Sequence, residues 1–315
     1  MRRFLPVVGA LCALASLCPH PAVAADANGN GLDDAFEEML LKQYAPLVIL
    51  SPDERALPAN VDWFLARSRL DPAFEPLAGK DAAGKGSAGV SQVTQASLLG
   101  DVEAALRAVG REVARLRPNR SARPGSSDPR DWIVYGHVYP AKDGGVLVQY
   151  WFFYAFNDFY VLFDHDGDWE HVTLRLDARH RPLGVWYARH GWNAPGKWFP
   201  WDSLEREGEH PVVLSARGSH ASYADTGDVL FWDRSCSTRL PQLAKERGCP
   251  IWRTWAEGTG GIVNTGPRSR PKPRAWFLSW PGQWGTLGWF LRETGGPPGP
   301  AYQAGWCSNG ASGCS

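Results

Sequence analysis

From Trp132 onward, short apolar, aromatic and β-branched runs alternate with glycine- and proline-rich breaks. Runs over 133–139 and 146–156 are joined by Ala141-Lys142-Asp143-Gly144-Gly145, a hairpin connection. Further strands are expected over 171–176, 185–189, 212–216, 229–231, 251–255 and 276–278. Short strands at this spacing predict a mainly β protein, an antiparallel β-sandwich. Upstream, 44–51 predicts one more short strand stopped by Pro52, and 61–65 reads equally as strand or helical turn. Leu32, Phe36, Met39, Leu40 and Tyr44 recur at helical spacing and predict a short N-terminal helix. Within an insertion at about 77–130, Leu99, Val102, Leu106, Val109, Val113 and Leu116 predict one amphipathic helix between small, polar flanks. No internal repeat is visible. The chain after Pro297 reads as loop held by cysteines.

The chain has 315 residues, room for one large domain or two small ones. Arg2-Arg3, an apolar run from Phe4 to Leu17 and Ala22-Val23-Ala24-Ala25 form a secretory signal over 1–25. No later stretch is long and apolar enough to span a bilayer, so export to a periplasmic or extracellular space is expected. Loss of the signal removes two arginines, leaving 31 basic against 33 acidic residues, a net charge of −2. That balance offers no pull on nucleic acid. Four cysteines remain. Three pairings are possible, and closure of short loops favours Cys236–Cys249 and Cys307–Cys314. All 16 tryptophans lie beyond residue 62. Most are expected in the core, while Trp192, Trp198 and Trp201 sit in a Pro/Gly-rich stretch and are candidates to touch a ligand.

The densest chemistry lies in Asp164-His165-Asp166-Gly167-Asp168-Trp169-Glu170-His171, expected as a loop that enters a strand. Strand alternation sends Asp168 and Glu170 to one face and Trp169 and His171 to the other. His165, across a Gly167 turn, can reach the acidic side. Carboxylates gathered in this way repel one another unless a cation sits among them, and a hard divalent ion, calcium or magnesium, is the expected answer. A solvated polar turn is the plainer alternative. His220, in Arg217-Gly218-Ser219-His220-Ala221, and His190, before Gly191-Trp192, are each delivered by a glycine turn. They and Asp166 are the candidates for an acid or base. No G-x-S-x-G nucleophile elbow occurs.

Residues 26–37 match the twelve-residue calcium loop D-x-[DN]-x-[DN]-G-x5-E throughout. Asp26, Asn28 and Asn30 supply side-chain oxygens, Gly31 the sharp turn, Leu32 a carbonyl, Asp34 the ninth position and Glu37 a bidentate carboxylate. The result is half an EF-hand over 26–44, ahead of a single sandwich domain over 45–315. Calcium there is expected to anchor the first helix.

Several of these motifs together resemble the vacuolar protein sorting-associated protein 62 family. They are Tyr44-Ala-Pro with Pro52-Asp53-Glu54, Trp151-Phe152-Phe153-Tyr154, Gly167-Asp168-Trp169-Glu170-His171, His210-Pro-Val-Val, Gly218-Ser219-His220-Ala221-Ser222-Tyr223 and Gly282-Gln283-Trp284-Gly285. A more distant likeness over the central third is to the necrosis- and ethylene-inducing-like secreted cytolysins, β-sandwich proteins with a His-x-x-Asp-x-Glu metal motif. His165, Asp168 and Glu170 match that spacing, and Asp158 matches a further ligand from the preceding aromatic strand. The cytolysins carry Gly-His-Arg-His-Asp-Trp-Glu where this chain has Asp-His-Asp-Gly-Asp-Trp-Glu. In that family the ion helps hold the sugar headgroup of a plant sphingolipid. The resemblance therefore implies a metal-dependent module that recognises a glycan or lipid headgroup. Hydrolysis by a metal-activated water and a purely structural ion are the competing readings.

Overall fold

The computed structural model describes residues 25–70, 115–159, 164–189, 195–230, 234–286, 295–308, 310 and 314. The signal segment, the greater part of the insertion and its amphipathic helix, His190, Trp192 and Phe231 lie outside them.

Helix α1 (Asp34–Gln43) starts where the Asp33 side chain accepts the Phe36 N–H, and it buries Leu40 and Leu41. β1 (Leu47–Ile49) follows, and 61–65 resolves as a helical turn, α2 (Val61–Leu65), capped by Asn60. β2 (Ser68–Leu70) and β3 (Leu116–Pro118) pair across the insertion. The main run comprises β4 (Val134–Pro140), β5 (Val146–Asn157), β6 (His165–Leu176), β7 (Pro182–Tyr187) and β8 (Lys197–Pro200). β9 (Arg206–Glu207), β10 (His210–Ser215), β11 (Ser222–Tyr223), α3 (Pro241–Glu246), β12 (Ile251–Arg253) and β13 (Ile262–Asn264) complete the order.

Two sheets stack. One runs β13-β4-β5-β6-β7-β8, and the other β11-β10-β1-β12 with β9 also on β10. The mainly β sandwich is therefore present, but its sheets are mixed: β1 pairs with β10 in parallel, and β13 with β4. A parallel pair needs a long crossover, and here each crossover carries more than 100 residues of intervening chain.

Between the sheets, Val48, Leu50 and Val213 meet Val148, Tyr150, Phe152, Tyr154, Val172 and Leu174. The outer faces are covered too. Trp151, Phe153 and Trp169 of the large sheet lie under α2, Phe277, Trp280, Trp284 and Trp306. Leu47, Ile49, Val212 and Leu214 of the small sheet lie under α3 and the Cys236–Cys249 bridge. Burial on both faces explains why β5 is apolar nearly throughout rather than alternating. The bridges are those that loop closure favoured, Cys236–Cys249 and Cys307–Cys314.

Three expected elements differ. Residues 276–278 lie in a 3-10 helix, Pro273–Ser279, opened by a proline that cannot donate to a ladder. Val229 and Leu230 follow a 3-10 turn and join no strand. β6 begins six residues earlier than expected and runs straight through Gly167.

Candidate functional site

β5 and β6 form the longest ladder in the protein, with Phe152 opposite Glu170, Tyr154 opposite Asp168 and Phe156 opposite Asp166. Alternation therefore sets Asp166, Asp168 and Glu170 on the face that also presents Val172, Leu174 and Leu176 to the inter-sheet core. All three acids are buried. Trp169 and His171 take the opposite face, as the pattern required. Trp169 packs on Phe153 and Trp284 at ring distances of 4.7 and 5.2 Å.

The cation that this acidic face demands comes from residues 216–221. Gly218 and His220 both hold positive φ, 76° and 53°, so the turn is tight enough for the His220 N–H to bond the Ala216 carbonyl at 2.9 Å. A positive φ at a non-glycine residue costs on the order of 1–3 kcal/mol and persists only where the surroundings hold it. Here they do. The imidazole lies flat on the Tyr154 ring, 3.7 Å away at 5°, with Nδ1 2.7 Å from Asp168 Oδ2 and Nε2 3.1 Å from the Ala56 carbonyl. Glu54 Oε1 is 3.7 Å from Nε2. Glu54 itself accepts the N–H groups of Arg55, Ala56 and Gly218. Burial alone would lower the His220 pKa, but the charges and hydrogen bonds of Glu54 and Asp168 carry it up to about 9. Burial alone would raise Glu54, yet His220 and the backbone donors bring it down to about 2. The node is thus an imidazolium held between two carboxylates, with side chains 0%, 1% and 6% exposed for His220, Glu54 and Asp168.

The expected metal ligands separate. His165 is half-buried, sits at the strand position opposite in parity to Asp168, and places Nδ1 3.0 Å from the Gly167 carbonyl. Gly167, expected to turn the chain, instead holds φ 64° within the strand, so His165 is never brought to the acidic side. Asp158 donates its N–H to the Gly218 carbonyl and faces Arg217 at 4.0 Å. Asp166 is ion-paired to Arg123 at 2.9 Å, and Arg123 also covers the Phe156 ring. Glu170 shares the face of Asp168. Among the described residues no three His, Cys, Asp or Glu side chains gather to hold a metal, so one ion shared by Asp158, His165, Asp168 and Glu170 does not match this geometry.

The acid–base candidates fare similarly. His220 is enclosed with both ring nitrogens engaged, and Asp166 is neutralised. Trp201 is a core residue, edge-on to Tyr44 at 5.8 Å, and Trp198 is half-buried against Trp186 at 4.3 Å. The structure adds Glu54 and Tyr154 to the site. Their signal was their place in Pro52-Asp53-Glu54 and Trp151-Phe152-Phe153-Tyr154.

Beside the node, the 51–54 turn opens onto a cleft of about 600 Å3 lined by Ser51, Pro52, Asp53, Thr226, Val229, Leu230, Arg234, Ser235 and Ser237. Arg217 bridges the two, with Nε 3.2 Å from Asp53 Oδ2 and its backbone N–H on the Arg234 carbonyl.

Fold and site together define a mixed-sheet β-sandwich pinned by a buried imidazolium between carboxylates. The resemblance carried by its motifs holds: the family model of vacuolar protein sorting-associated protein 62 matches residues 128–238. Vacuolar protein sorting-associated protein 62 of Saccharomyces cerevisiae is 29% identical over 198 residues, 49% of this chain and 41% of that protein. Vacuolar protein sorting-associated protein TDA6 of the same yeast is 24% identical over 243 residues, 56% of this chain and 48% of its own length. The chain spans less than half of either relative. Among solved structures, necrosis and ethylene inducing protein 2 from the causal agent of cocoa's witches' broom disease aligns at 15% identity and a TM-score of 0.33. That alignment covers 59% of this chain and 66% of the other. NLPPya in complex with mannosamine aligns at 16% and 0.29, over 47% and 56%.

Proposed function

We propose that this protein is a recognition module for a hydroxyl-rich polar ligand, a glycan or a sugar-bearing lipid headgroup, bound in the cleft beside the His220 node. The chemistry of the lining carries the reading. Ser51, Thr226, Ser235 and Ser237 offer hydroxyls, Asp53 and Arg234 offer a charged acceptor and donor, and Val229 and Leu230 offer an apolar patch. A few placed polar groups beside apolar surface suit a sugar ring. The hydrolase reading is weaker, because His220 is enclosed and already protonated at neutral pH, which leaves it unable to take a proton from water. In this reading the node is a positioning device. Gly218 N–H on Glu54 ties the 216–221 turn to the 51–54 turn that forms one wall of the cleft. Both disulfides suit an oxidising compartment, in keeping with an exported protein.

A glycan and glycolipid array, followed by calorimetry on any hit, tests the assignment. Arg234→Ala and Asp53→Asn, both at exposed side chains, are expected to weaken binding at least tenfold with the melting temperature unchanged. An array without binders, or variants that bind like the parent, would sink it. Binding is expected to survive chelator, since the node carries its own cation.

A further inference from the structure

The calcium-loop motif has no part in that function. In the structure its side chains hold the loop in shape. Asp26 accepts the N–H groups of Gly29, Asn30 and Gly31 at 2.7, 3.1 and 2.9 Å. Asn28 Oδ1 accepts Asn30 N–H, and Asn30 Oδ1 accepts Leu32 N–H. Gly31 takes the sharp turn at φ 90°. Glu37, entering from the first turn of α1, is wholly buried.

The decisive feature is what surrounds the Glu37 carboxylate. The Asn28 amide nitrogen donates to both of its oxygens at 3.0 Å, and the Asn30 amide donates to one. Two further groups arrive from far along the chain. Asn264 at the end of β13 donates at 2.8 Å. The Lys272 ammonium lies 3.5 Å from Glu37 and 3.1 Å from Asp34. Positive charge is thus supplied at the closing carboxylate from outside the motif, by a lysine that the motif itself does not contain. An amide is nearly the same shape after a half-turn about its last bond, so Asn28 and Asn30 can present oxygen where they now present nitrogen, in exchange for the bonds their oxygens accept from Asn30 and Leu32 N–H and the bond Asn30 donates to the Val138 carbonyl. With that half-turn, oxygens of Asp26, Asn28, Asn30, the Leu32 carbonyl and both oxygens of Glu37 form a set suited to calcium. Magnesium demands near-octahedral geometry and tolerates a bidentate carboxylate poorly. Because amides and a peptide carbonyl make up half the donors, the set contains no tight group of three acids.

We infer that residues 26–37 form a calcium site at which the ion takes the place of the Lys272 ammonium beside Glu37. Asn264 keeps its bond to Glu37 as an outer partner, so the ion links the N-terminal loop to the end of β13. Calcium and lysine compete, and removal of the lysine charge tightens calcium.

Calorimetry and thermal unfolding of the chelator-treated protein, with calcium or magnesium chloride added, test this. Calcium is expected to bind and raise the melting temperature, with magnesium at least tenfold weaker. Lys272→Met is expected to bind calcium several-fold more tightly than the parent, and Glu37→Gln at least a hundredfold more weakly. Lack of calcium uptake by both the parent and Lys272→Met would overturn the site, whatever the fate of Glu37→Gln. Equal calcium affinity in those two proteins would overturn the exchange.

Discussion

Asp168 shows how one side chain is read differently once its neighbours are known. Alternation along β6 puts it on the acidic face, and charge balance then requires a cation within a few ångströms. That cation is His220, which reaches Asp168 from 52 residues further along the chain. Asp168→Asn therefore leaves a buried imidazolium with Glu54 as its main charged partner. Loss of one partner from a buried pair costs about 3–5 kcal/mol, and that loss is the expected shift in urea unfolding. In the same variant the His220 pKa, followed by NMR, is expected to fall from about 9 toward its ordinary value. An unchanged unfolding midpoint with an unchanged His220 titration would contradict the ion triad.

At the level of elements, the start of β6 is held by a segment more than 100 residues downstream. A side chain added at Gly167 would meet the Trp284 backbone oxygen at 2.5 Å, and one at Gly285 would meet the Asp166 carbonyl at 2.3 Å. The two glycine-containing motifs are thus two halves of one close backbone crossing, which seats Trp284 against Trp169. Gly167→Ala combines this clash with a φ of 64°. It is expected to lower stability by more than Gly208→Ala, where φ is 65° but nothing lies within 4 Å. The latter carries only the conformational cost, about 1 kcal/mol. Paired thermal melts measure the difference, and equal losses would show that the crossing is soft. Both bridges also act at this scale, each closing a loop over a sheet edge or outer face rather than joining the sheets.

Across the whole molecule, buried histidines are shifted in opposite directions, and the balance of those shifts sets its pH dependence. His220 has a raised pKa, so its contribution is complete below about 6.5 and fades as pH rises through about 9. Glu54 has a lowered one, so its contribution is complete above about 4.5 and fades as pH falls toward about 2. His137 stacks on Trp306 at 3.8 Å and His171 on Trp151 at 4.1 Å. Burial pushes both down to about 3, in His137 against an upward pull from Gln149. These two are buried neutral, and stability is lost as pH drops below about 6.5 because the unfolded chain takes up their protons first. Stability is therefore expected to peak near pH 6.5, with a steeper fall on the acid side, where two histidines act together. Denaturant midpoints across pH 4–9 check this, and a plateau down to pH 4.5 would count against neutral burial of His137 and His171.

Local regularities were legible in the chain itself. Strand alternation over 168–171 assigned Asp168 and Glu170 to one face and Trp169 and His171 to the other. The apolar density of 146–156 marked the central strand, and short spacing marked the disulfides. These depend on neighbours in sequence, where backbone geometry dictates direction. What tertiary structure decided is where distant groups meet. No spacing rule connects Glu54 to Gly218, or His220 to Asp168, because a parallel β1–β10 pairing and a turn with two positive φ values bring them together. The need for a cation among the acids follows from Coulomb repulsion and could be read from composition alone. That a protonated histidine stands beside Asp168 was decided by the 216–221 turn, and that the strand runs straight through Gly167 was decided by the Trp284 backbone packed against it.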